Sequence, residues 1–266
     1  MENRVDIEID GHIAIVKLNR PDKMNALDIA MFDAIIEAGE QCAANPSIRA
    51  VVLCGAGRAF CAGLDLGNFS PDNADSVSSN PLEKRTHGIA NKWQKAAWVW
   101  RELPVPVIAA VHGVSFGGGL QIMLGADIKF VAPDTKLCVL EMKWGLIPDM
   151  AGTQLMRHSV RDDIIRELTY THRVFSGEEA VNYGFATHTS DTPLGDAIKL
   201  AKEIASKSPS AVVMAKALLN KAPYLEPESG LMEESILQDK IIGKKNQLEA
   251  VFAGLQKREG QFDDFR

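Results

Sequence analysis

The sequence predicts an α/β fold with a long helical region towards its C-terminal end. Strand and helix patterns alternate through residues 50–132, which is typical of βαβ units joined by right-handed crossovers. From about Thr153 onward the pattern is helical almost throughout, with polar or glycine breaks between helices. Because these later helices are partly apolar and have no strands to cover, we expect them to pack on neighbouring subunits.

The N-terminal elements are a hairpin, a helix and a buried strand. Val5 to Asp10 and His12 to Leu18 alternate apolar and polar residues on either side of an Asp-Gly pair, which predicts two hairpin strands. Asp28 is a candidate N-cap for an amphipathic helix that ends near Asn45-Pro46. Ala50 to Cys54 is continuously apolar, as expected of a strand in a parallel sheet.

A strand followed by three glycines forms the centre of the chain. Val107 to Val111 is predicted to be a buried strand, and Gly117, Gly118 and Gly119 open an apolar helix. Glycine disfavours a helix, so the backbone is expected to pass close to another group there. The N–H groups at a helix start can receive developing negative charge. A tight junction that needs glycine only for packing would account for the same residues.

The remaining elements are mostly helices. Residues 82–102 have helical spacing and carry three tryptophans, which we expect to be core and interface anchors. The polar stretch Ser70–Asn80 is expected to be a mobile loop or a lid. A strand at Asp127–Ala132 and a short apolar piece at Leu137–Leu140 follow. The predicted helices after them are Asp162–Thr171, Ser176–Tyr183 with a Ser176/Glu179 capping box, Pro193–Ser206, Ser210–Asn220 and Glu228–Phe252.

Composition argues against several classes of function. The net charge of −6 gives no basic surface for nucleic acid or an anionic membrane, and no apolar run is long enough to span a bilayer. The acidic, strand-like N-terminus is not that of a secretory or transit peptide, so we expect a cytoplasmic protein. The four cysteines, which have no metal-ligand spacing, are expected to be reduced thiols: Cys42, Cys54, Cys61 and Cys138. We therefore expect no metal site.

The glycine-rich loops match none of the common nucleotide or nucleophile motifs. GAGRAF lacks the dinucleotide fingerprint, and the chain has neither a GxxxxGK[ST] loop nor a GxSxG elbow. Two such loops after two apolar strands can instead aim two backbone N–H groups at one developing oxyanion. Glu141, between Leu140 and Met142, and Asp149, after Pro148, are candidate acid–base groups, because apolar neighbours raise a carboxyl pKa. A surface glutamate and a turn aspartate are the alternative.

Taken together, three loops resemble the crotonase (enoyl-CoA hydratase/isomerase) superfamily: GRAFCAGLDL, VHGVSFGGGL and LEMKWGLIPDMAGTQ. The resemblance extends over nearly the whole chain, including NRPDKMNAL and FAGLQKREGQF. It implies a crotonase-like spiral of ββα repeats, assigned to residues 1–195, and a C-terminal helical trimerisation region, residues 196–266. It also implies a homo-trimer, or a hexamer of two trimers.

The same resemblance implies site residues. The N–H groups of Leu64 and Gly118 would be the oxyanion donors. Coenzyme A, as part of an acyl-CoA thioester substrate and not as a separate cofactor, would lie along Ala62, Gly63, Leu64, Asp65, Leu66, Gly117 and Gly118. The family's hydratases carry two catalytic glutamates; one corresponds to Glu141, and the other corresponds to Gln121, which departs from the pattern.

Gln121 decides the predicted reaction. An amide cannot exchange a proton at neutral pH, whereas a double-bond shift needs only one base, and Glu141 can supply it. We therefore predict isomerisation rather than hydration, with Gln121 as a hydrogen-bonding group. Asp149 matches an aspartate of the family's dienoyl-CoA isomerases, so a dienoyl-CoA isomerase using Glu141 and Asp149 is an alternative. A true 2-enoyl-CoA hydratase, a dehalogenase, a non-catalytic acyl-CoA-binding protein and an RNA-binding member are the others.

Overall fold

A computed structural model describes residues 3–69 and 81–265, and all structural statements below concern these residues. Its strands are β1 Val5–Asp10, β2 Ile13–Leu18, β3 Ala50–Gly55, β4 Val107–Val111, β5 Val114–Phe116, β6 Ile128–Val131, β7 Lys136–Cys138, β8 Phe175–Ser176 and β9 His188–Thr189. The main sheet has the strand order β1-β2-β3-β4-β6-β9, and a second sheet has the order β5-β7-β8.

Helices connect these strands and form the C-terminal part of the chain. The helices are α1 Ile29–Ala44, α2 Lys92–Glu102, α3 Gly118–Leu124, α4 Gly152–Met156, α5 Asp162–Thr171, α6 Gly177–Tyr183, α7 Pro193–Ala205, α8 Pro209–Lys221, α9 Pro227–Asp239 and α10 Lys245–Gln256. No helix in the described parts of the chain is long and apolar enough to cross a membrane.

The order of the parallel strands brings the glycine-rich loops together. β1 and β2 pair antiparallel, whereas β2, β3, β4, β6 and β9 pair in parallel along the main sheet. Because the C-terminal ends of β3 and β4 meet at one edge, the loops that leave them are neighbours. An isolated bridge between Cys61 and Ser115 joins these loops further, and another between Leu27 and Leu64 connects the first loop to the segment before α1.

Both faces of β3 are covered, which explains its continuous apolar sequence. Val51 and Leu53 belong to the larger core, with Phe32 of α1 and Trp100 of α2. Residues of the opposite face, such as Val52, pack with small side chains of α7: Ala197, Ala201 and Ala205. A strand buried on both faces has no polar alternation, as parallel sheets require.

The structure confirms the elements with strong local signals. The hairpin, β3, β4 and the glycine-led helix α3 lie where the sequence predicts them. Asp28 caps α1 by accepting a hydrogen bond from Met31 N at 2.8 Å. The capping box at Ser176 and Glu179 is complete, with both reciprocal hydrogen bonds present. All four cysteines are buried and free.

Three predictions of extent are wrong. The helix predicted over residues 82–102 begins only at Lys92, because Asn91 and Gln94 form a capping box there. The helix predicted over residues 228–252 is two helices, separated by a turn in which Gly243 has a φ of +70°. The region after Thr153 also contains β8 and β9, which have two residues each and are too short to give a periodic pattern.

Two further predictions stay untested. The predicted loop or lid at Ser70–Asn80 lies outside the described residues. The division of the chain between residues 195 and 196 also stays a prediction; α7 runs across that position and packs on the main sheet.

A buried lysine ties α8 to the centre of the chain. The Nζ atom of Lys216 donates to Trp100 O at 3.1 Å, Val105 O at 2.9 Å and Asp127 Oδ2 at 2.7 Å. All three ammonium donors therefore have acceptors, although burial lowers the pKa of this lysine. The ion pair with Asp127 in part offsets the cost of removing the ammonium group from water.

We expect Lys216→Met to destabilise the protein by about 3 kcal/mol, because the carboxylate of Asp127 loses its ion-pair partner and two carbonyl groups lose a donor. Lys221→Met is the matched control. Lys221 lies at the end of the same helix in an exposed ion pair with Glu233, and its loss should cost less than about 1 kcal/mol. Urea unfolding measures both values, and equal effects would contradict the importance of the buried network.

Candidate active site

The three unusual loops of the sequence surround one cavity of about 310 Å³. Glu141 and Asp149 are the two charged side chains among the described residues that line it. The remaining lining is apolar side chains and glycine backbone: Phe32, Ala62, Gly63, Leu64, Leu66, Leu82, Trp93, Gly117, Gly118, Leu140, Trp144, Leu146 and Met150. An apolar cleft with a few convergent polar groups is the usual form of a small-molecule site.

The glycines allow two backbone segments to pass at close range. A β-carbon at Gly63, whose φ is +87°, would lie 2.5 Å from Phe116 O and 3.6 Å from Gly118 N. A β-carbon at Gly119 would lie 2.5 Å from Cys61 O. Both positions therefore require glycine for packing, and this packing is what brings the backbones at Gly63 and Gly118 to the same wall of the cavity.

The N–H groups of Leu64 and Gly118 are available at this wall. The isolated bridge between Leu27 and Leu64 consists of two hydrogen bonds: Leu27 N donates to Gly63 O at 2.8 Å, and Asp65 N donates to Leu27 O at 3.1 Å. The N–H group of Leu64 itself takes no part in this bridge. Gly118 is the first residue of α3, where an N–H has no partner within the helix. Neither N–H donates to an acceptor within residues 3–69 or 81–265.

Asn25 holds the first loop in shape. Its buried side-chain amide donates to Ala56 O, Ala59 O and Phe60 O at distances between 2.8 and 3.1 Å. Its backbone is left-handed, with φ +56°, a conformation that asparagine tolerates better than most residues. Sequence analysis missed this role. The residue that could have indicated it is Asn25 itself, the second asparagine of the NRPDKMNAL turn.

Glu141 lines the cavity, and one of its two carboxylate oxygens has a hydrogen-bond partner. The residue is 8% exposed and begins a short 3₁₀ turn, Glu141–Trp144. Its Oε1 accepts a hydrogen bond of 2.6 Å from Gln121 Nε2, and its Oε2 is buried without a hydrogen-bond partner. Burial raises the pKa of this carboxyl, against the lowering effect of hydrogen bonds that include the one from Gln121. Such a carboxyl suits proton transfer.

Gln121 lies behind the cavity wall and fixes that geometry. It is 3% exposed, and its Oε1 accepts hydrogen bonds from Met150 N at 2.9 Å and Gly152 N at 2.8 Å. Because only an oxygen can accept from two N–H groups, the amide nitrogen must point to Glu141. A β-carbon at Gly152 would lie 2.6 Å from this oxygen, which explains the glycine.

Asp149 is the second carboxyl at the cavity. The residue is exposed to water, but the protein atoms around its carboxyl partly desolvate it, and this desolvation raises its pKa. Its charge also contributes to raising the pKa of Glu141. The backbone that follows it is anchored to Gln121 through Met150 N, and Ala151 there adopts a left-handed φ of +69°. Strained residues of this kind are enriched at functional sites.

The structure brings most of the predicted site residues together. Glu141, Asp149 and six of the seven residues expected along coenzyme A line the cavity: Ala62, Gly63, Leu64, Leu66, Gly117 and Gly118. Asp65 does not line it; its carboxylate pairs with Arg20 at 2.6 Å and accepts from Gly67 N. Gln121 is in contact with Glu141 rather than with the cavity. The roles of all these residues stay predictions.

Two aromatic side chains also line the cavity. Sequence analysis missed Phe32. Trp93 is the other, and it packs against the core as well, as expected of the tryptophans on this helix. In the described parts of the chain, no group of three or more His, Cys, Asp or Glu side chains is placed to hold a metal ion.

Known proteins with similar sequences or structures are named as enoyl-CoA hydratases or dienoyl-CoA isomerases. A family model described as Enoyl-CoA hydratase/isomerase matches residues 8–265. The peroxisomal Delta(3,5)-Delta(2,4)-dienoyl-CoA isomerase of Arabidopsis thaliana is 29% identical over an alignment of 273 positions that covers 98% of each chain. A probable enoyl-CoA hydratase of Mycobacterium tuberculosis is 30% identical and covers 96% of each chain. The crystal structure of an enoyl-CoA hydratase from Bacillus anthracis is 28% identical, with a TM-score of 0.89 over 97% of this chain and 98% of that one.

We expect Glu141→Gln to be more stable than the unaltered protein at neutral pH but not at low pH. Because burial raises the folded-state pKa of Glu141, the unaltered protein loses stability as pH rises from the unfolded value, near 4.5, through the raised folded value. A glutamine at this position is neutral at every pH, so the variant does not lose stability in this way. Urea unfolding at a series of pH values measures the difference.

Glu40→Gln, at an exposed position of α1, is the control for that experiment. A stability difference between Glu141→Gln and the unaltered protein that stays constant with pH would contradict the raised pKa.

Proposed function

This chain belongs to the enoyl-CoA hydratase/isomerase family, and we propose that it shifts a double bond in an unsaturated acyl-CoA thioester rather than hydrating it. The observation that carries this proposal is the pair formed by Gln121 and Glu141. The amide is neutral and its oxygen is already bonded to two backbone N–H groups, so one glutamate, with one free oxygen, remains for proton transfer.

The thioester oxygen would bind to the N–H groups of Leu64 and Gly118. Removal of an α-proton moves negative charge onto this oxygen, and two fixed donors, one in the first loop and one at the start of α3, would stabilise it. Loss of one such donor in other enzymes costs about 2.7–4 kcal/mol in the barrier. The availability of both N–H groups at one wall supports this assignment.

Glu141 would act as the base. Its carboxylate takes the α-proton of a 3-enoyl thioester, and the electrons of that C–H bond form a dienolate whose oxygen is held by the two N–H groups. The same proton is then delivered to the γ-carbon as the thioester carbonyl re-forms. One C–H bond breaks and one forms, the double bond moves into conjugation, and neither water nor a redox cofactor is consumed. We propose that the reaction needs no cofactor besides the coenzyme A of the substrate.

Asp149 favours a second candidate, the isomerisation of a 3,5-dienoyl thioester to a 2,4-dienoyl thioester. In that reaction the proton must be delivered to the ε-carbon, further along the chain than a single carboxyl near the α-carbon reaches. A second carboxyl with a raised pKa in the same cavity could supply it. The Arabidopsis relative is named for this reaction.

We also propose an oligomer, either a trimer or a hexamer, built through the C-terminal helices. Large apolar side chains on these helices are exposed in the single chain: Leu219, Leu231, Met232, Ile236, Phe252 and Leu255. An apolar surface of this kind is typical of a subunit interface. The cytoplasm is the proposed location. The Arabidopsis relative, in contrast, is named for the peroxisome.

Three substrates separate the candidate reactions. We expect the purified protein to convert a 3-enoyl-CoA to its conjugated isomer, seen as a gain of thioester conjugation without a change of mass. A 3,5-dienoyl-CoA should react as well if Asp149 serves as the second proton carrier. Fast addition of water to a 2-enoyl-CoA would contradict the proposal, and binding of all three without turnover would indicate a non-catalytic acyl-CoA-binding protein.

Variants of the two carboxyls test their roles. We expect Glu141→Gln to lower kcat about 10²- to 10⁴-fold on every substrate, because it removes the base. Asp149→Asn should lower kcat by a similar factor on the 3,5-dienoyl substrate and much less on the 3-enoyl substrate. Stopped-flow absorbance measures both, with Glu40→Gln as the control. A Glu141→Gln variant with full activity would overturn the assignment of the base.

A further inference from the structure

We propose that Trp93, supported by Phe32, forms the closed end of the cavity and limits the length of the apolar acyl chain that the protein accepts. The proposal rests on the proposed function, because it takes the cavity to hold the acyl part of an acyl-CoA.

The exposure of the lining residues distinguishes the rim of the cavity from a closed wall. Leu66, Leu82, Trp144 and Leu146 are exposed and mark the rim. Phe32 is 1% exposed, and Trp93 beside it is only partly exposed. A chain that enters past the rim and reaches this wall therefore ends against the ring pair.

The indole of Trp93 is braced and cannot easily move aside. Its ring meets that of Phe32 edge to face, with centroids 4.7 Å apart and an interplanar angle of 83°. Lys92, the preceding residue, forms an ion pair of 2.6 Å with Asp33, which follows Phe32 on α1. Two adjacent positions of α2 are thus joined to two adjacent positions of α1. The capping box at Asn91 also fixes the turn on which Trp93 lies.

The wall formed by the ring pair is largely apolar. Phe32 has no polar side-chain atom, and the indole N–H of Trp93 is the one polar group that the two side chains carry. A hydroxyl or carboxylate on the acyl tail would lose its hydration there with at most one donor to replace it. The cavity volume of about 310 Å³ is near the lower end of the range for ligand sites, so an unsubstituted chain of limited length fits best.

A series of 3-enoyl-CoA substrates, from hexenoyl to hexadecenoyl, tests the proposal. The unaltered protein should show a kcat/KM that falls once the chain exceeds the cavity. Trp93→Ala should raise the ratio of kcat/KM for the longest chain over the shortest by at least about tenfold, since methylene groups in an apolar pocket are each worth a sizeable factor. Trp93→Phe, which keeps a ring at the position, should give a smaller rise in the same direction.

Trp98→Ala is the matched control. Trp98 lies on the same helix, does not line the cavity, and donates its indole N–H to Glu102 at 2.9 Å. Its substitution should leave the ratio unchanged. A ratio that is unchanged in Trp93→Ala and Trp93→Phe, or that changes as much in Trp98→Ala, would overturn the proposal.

Binding of saturated acyl-CoAs separates this proposal from the proposed function. Isothermal titration calorimetry with octanoyl-CoA and palmitoyl-CoA requires no turnover. A relative gain in affinity for palmitoyl-CoA in Trp93→Ala supports the role of Trp93 even if the protein isomerises no substrate. The absence of such a gain overturns that role even if isomerisation is observed.

Discussion

The positions of Glu141 and Asp149 both depend on one buried side chain, that of Gln121. Its oxygen accepts from Met150 N and Gly152 N and so anchors the backbone after Asp149, while its nitrogen donates to Glu141. The two N–H groups determine which end of the amide faces Glu141. One oxygen of Glu141 is thereby held by a neutral donor, and the other is left without a partner in the cavity wall. The same side chain thus organises the third loop and, because it is a neutral amide, adds no proton carrier beside Glu141.

The first two glycine-rich loops bring two backbone segments close together at one wall of the cavity. Gly63 and Gly119 sit where a β-carbon would lie within 2.5 Å of a carbonyl oxygen of the other loop. The side-chain amide of Asn25 stabilises the first loop by donating hydrogen bonds to three of its backbone carbonyl groups. The result is a pair of N–H groups that need no reorganisation when charge develops, which is the condition for strong electrostatic stabilisation. Close packing and the proposed oxyanion site are therefore two consequences of the same glycines.

Sequence patterns predicted the features that depend on neighbouring residues. The hairpin, the Asp28 cap and the Ser176 capping box are all determined within a few positions of the chain, and all are present. The extent of α2 was wrong because its start depends on Asn91, whose cap outweighs the helical spacing before it. The anchoring role of Gln121 could not be predicted, since its partners Met150 and Gly152 lie 29 and 31 residues later. The wall formed by Phe32 and Trp93 likewise requires the packing of two separate helices.

The hydration of a 2-enoyl-CoA by Gln121→Glu tests the central claim most directly. A glutamate at this position would keep its bonds to Met150 N and Gly152 N and face Glu141 with a second oxygen, so that the two carboxyls share a proton. If the neutral amide is what restricts the protein to double-bond shifts, hydratase activity should rise at least about tenfold in this variant. A folded variant that hydrates no faster than the unaltered protein would contradict the account.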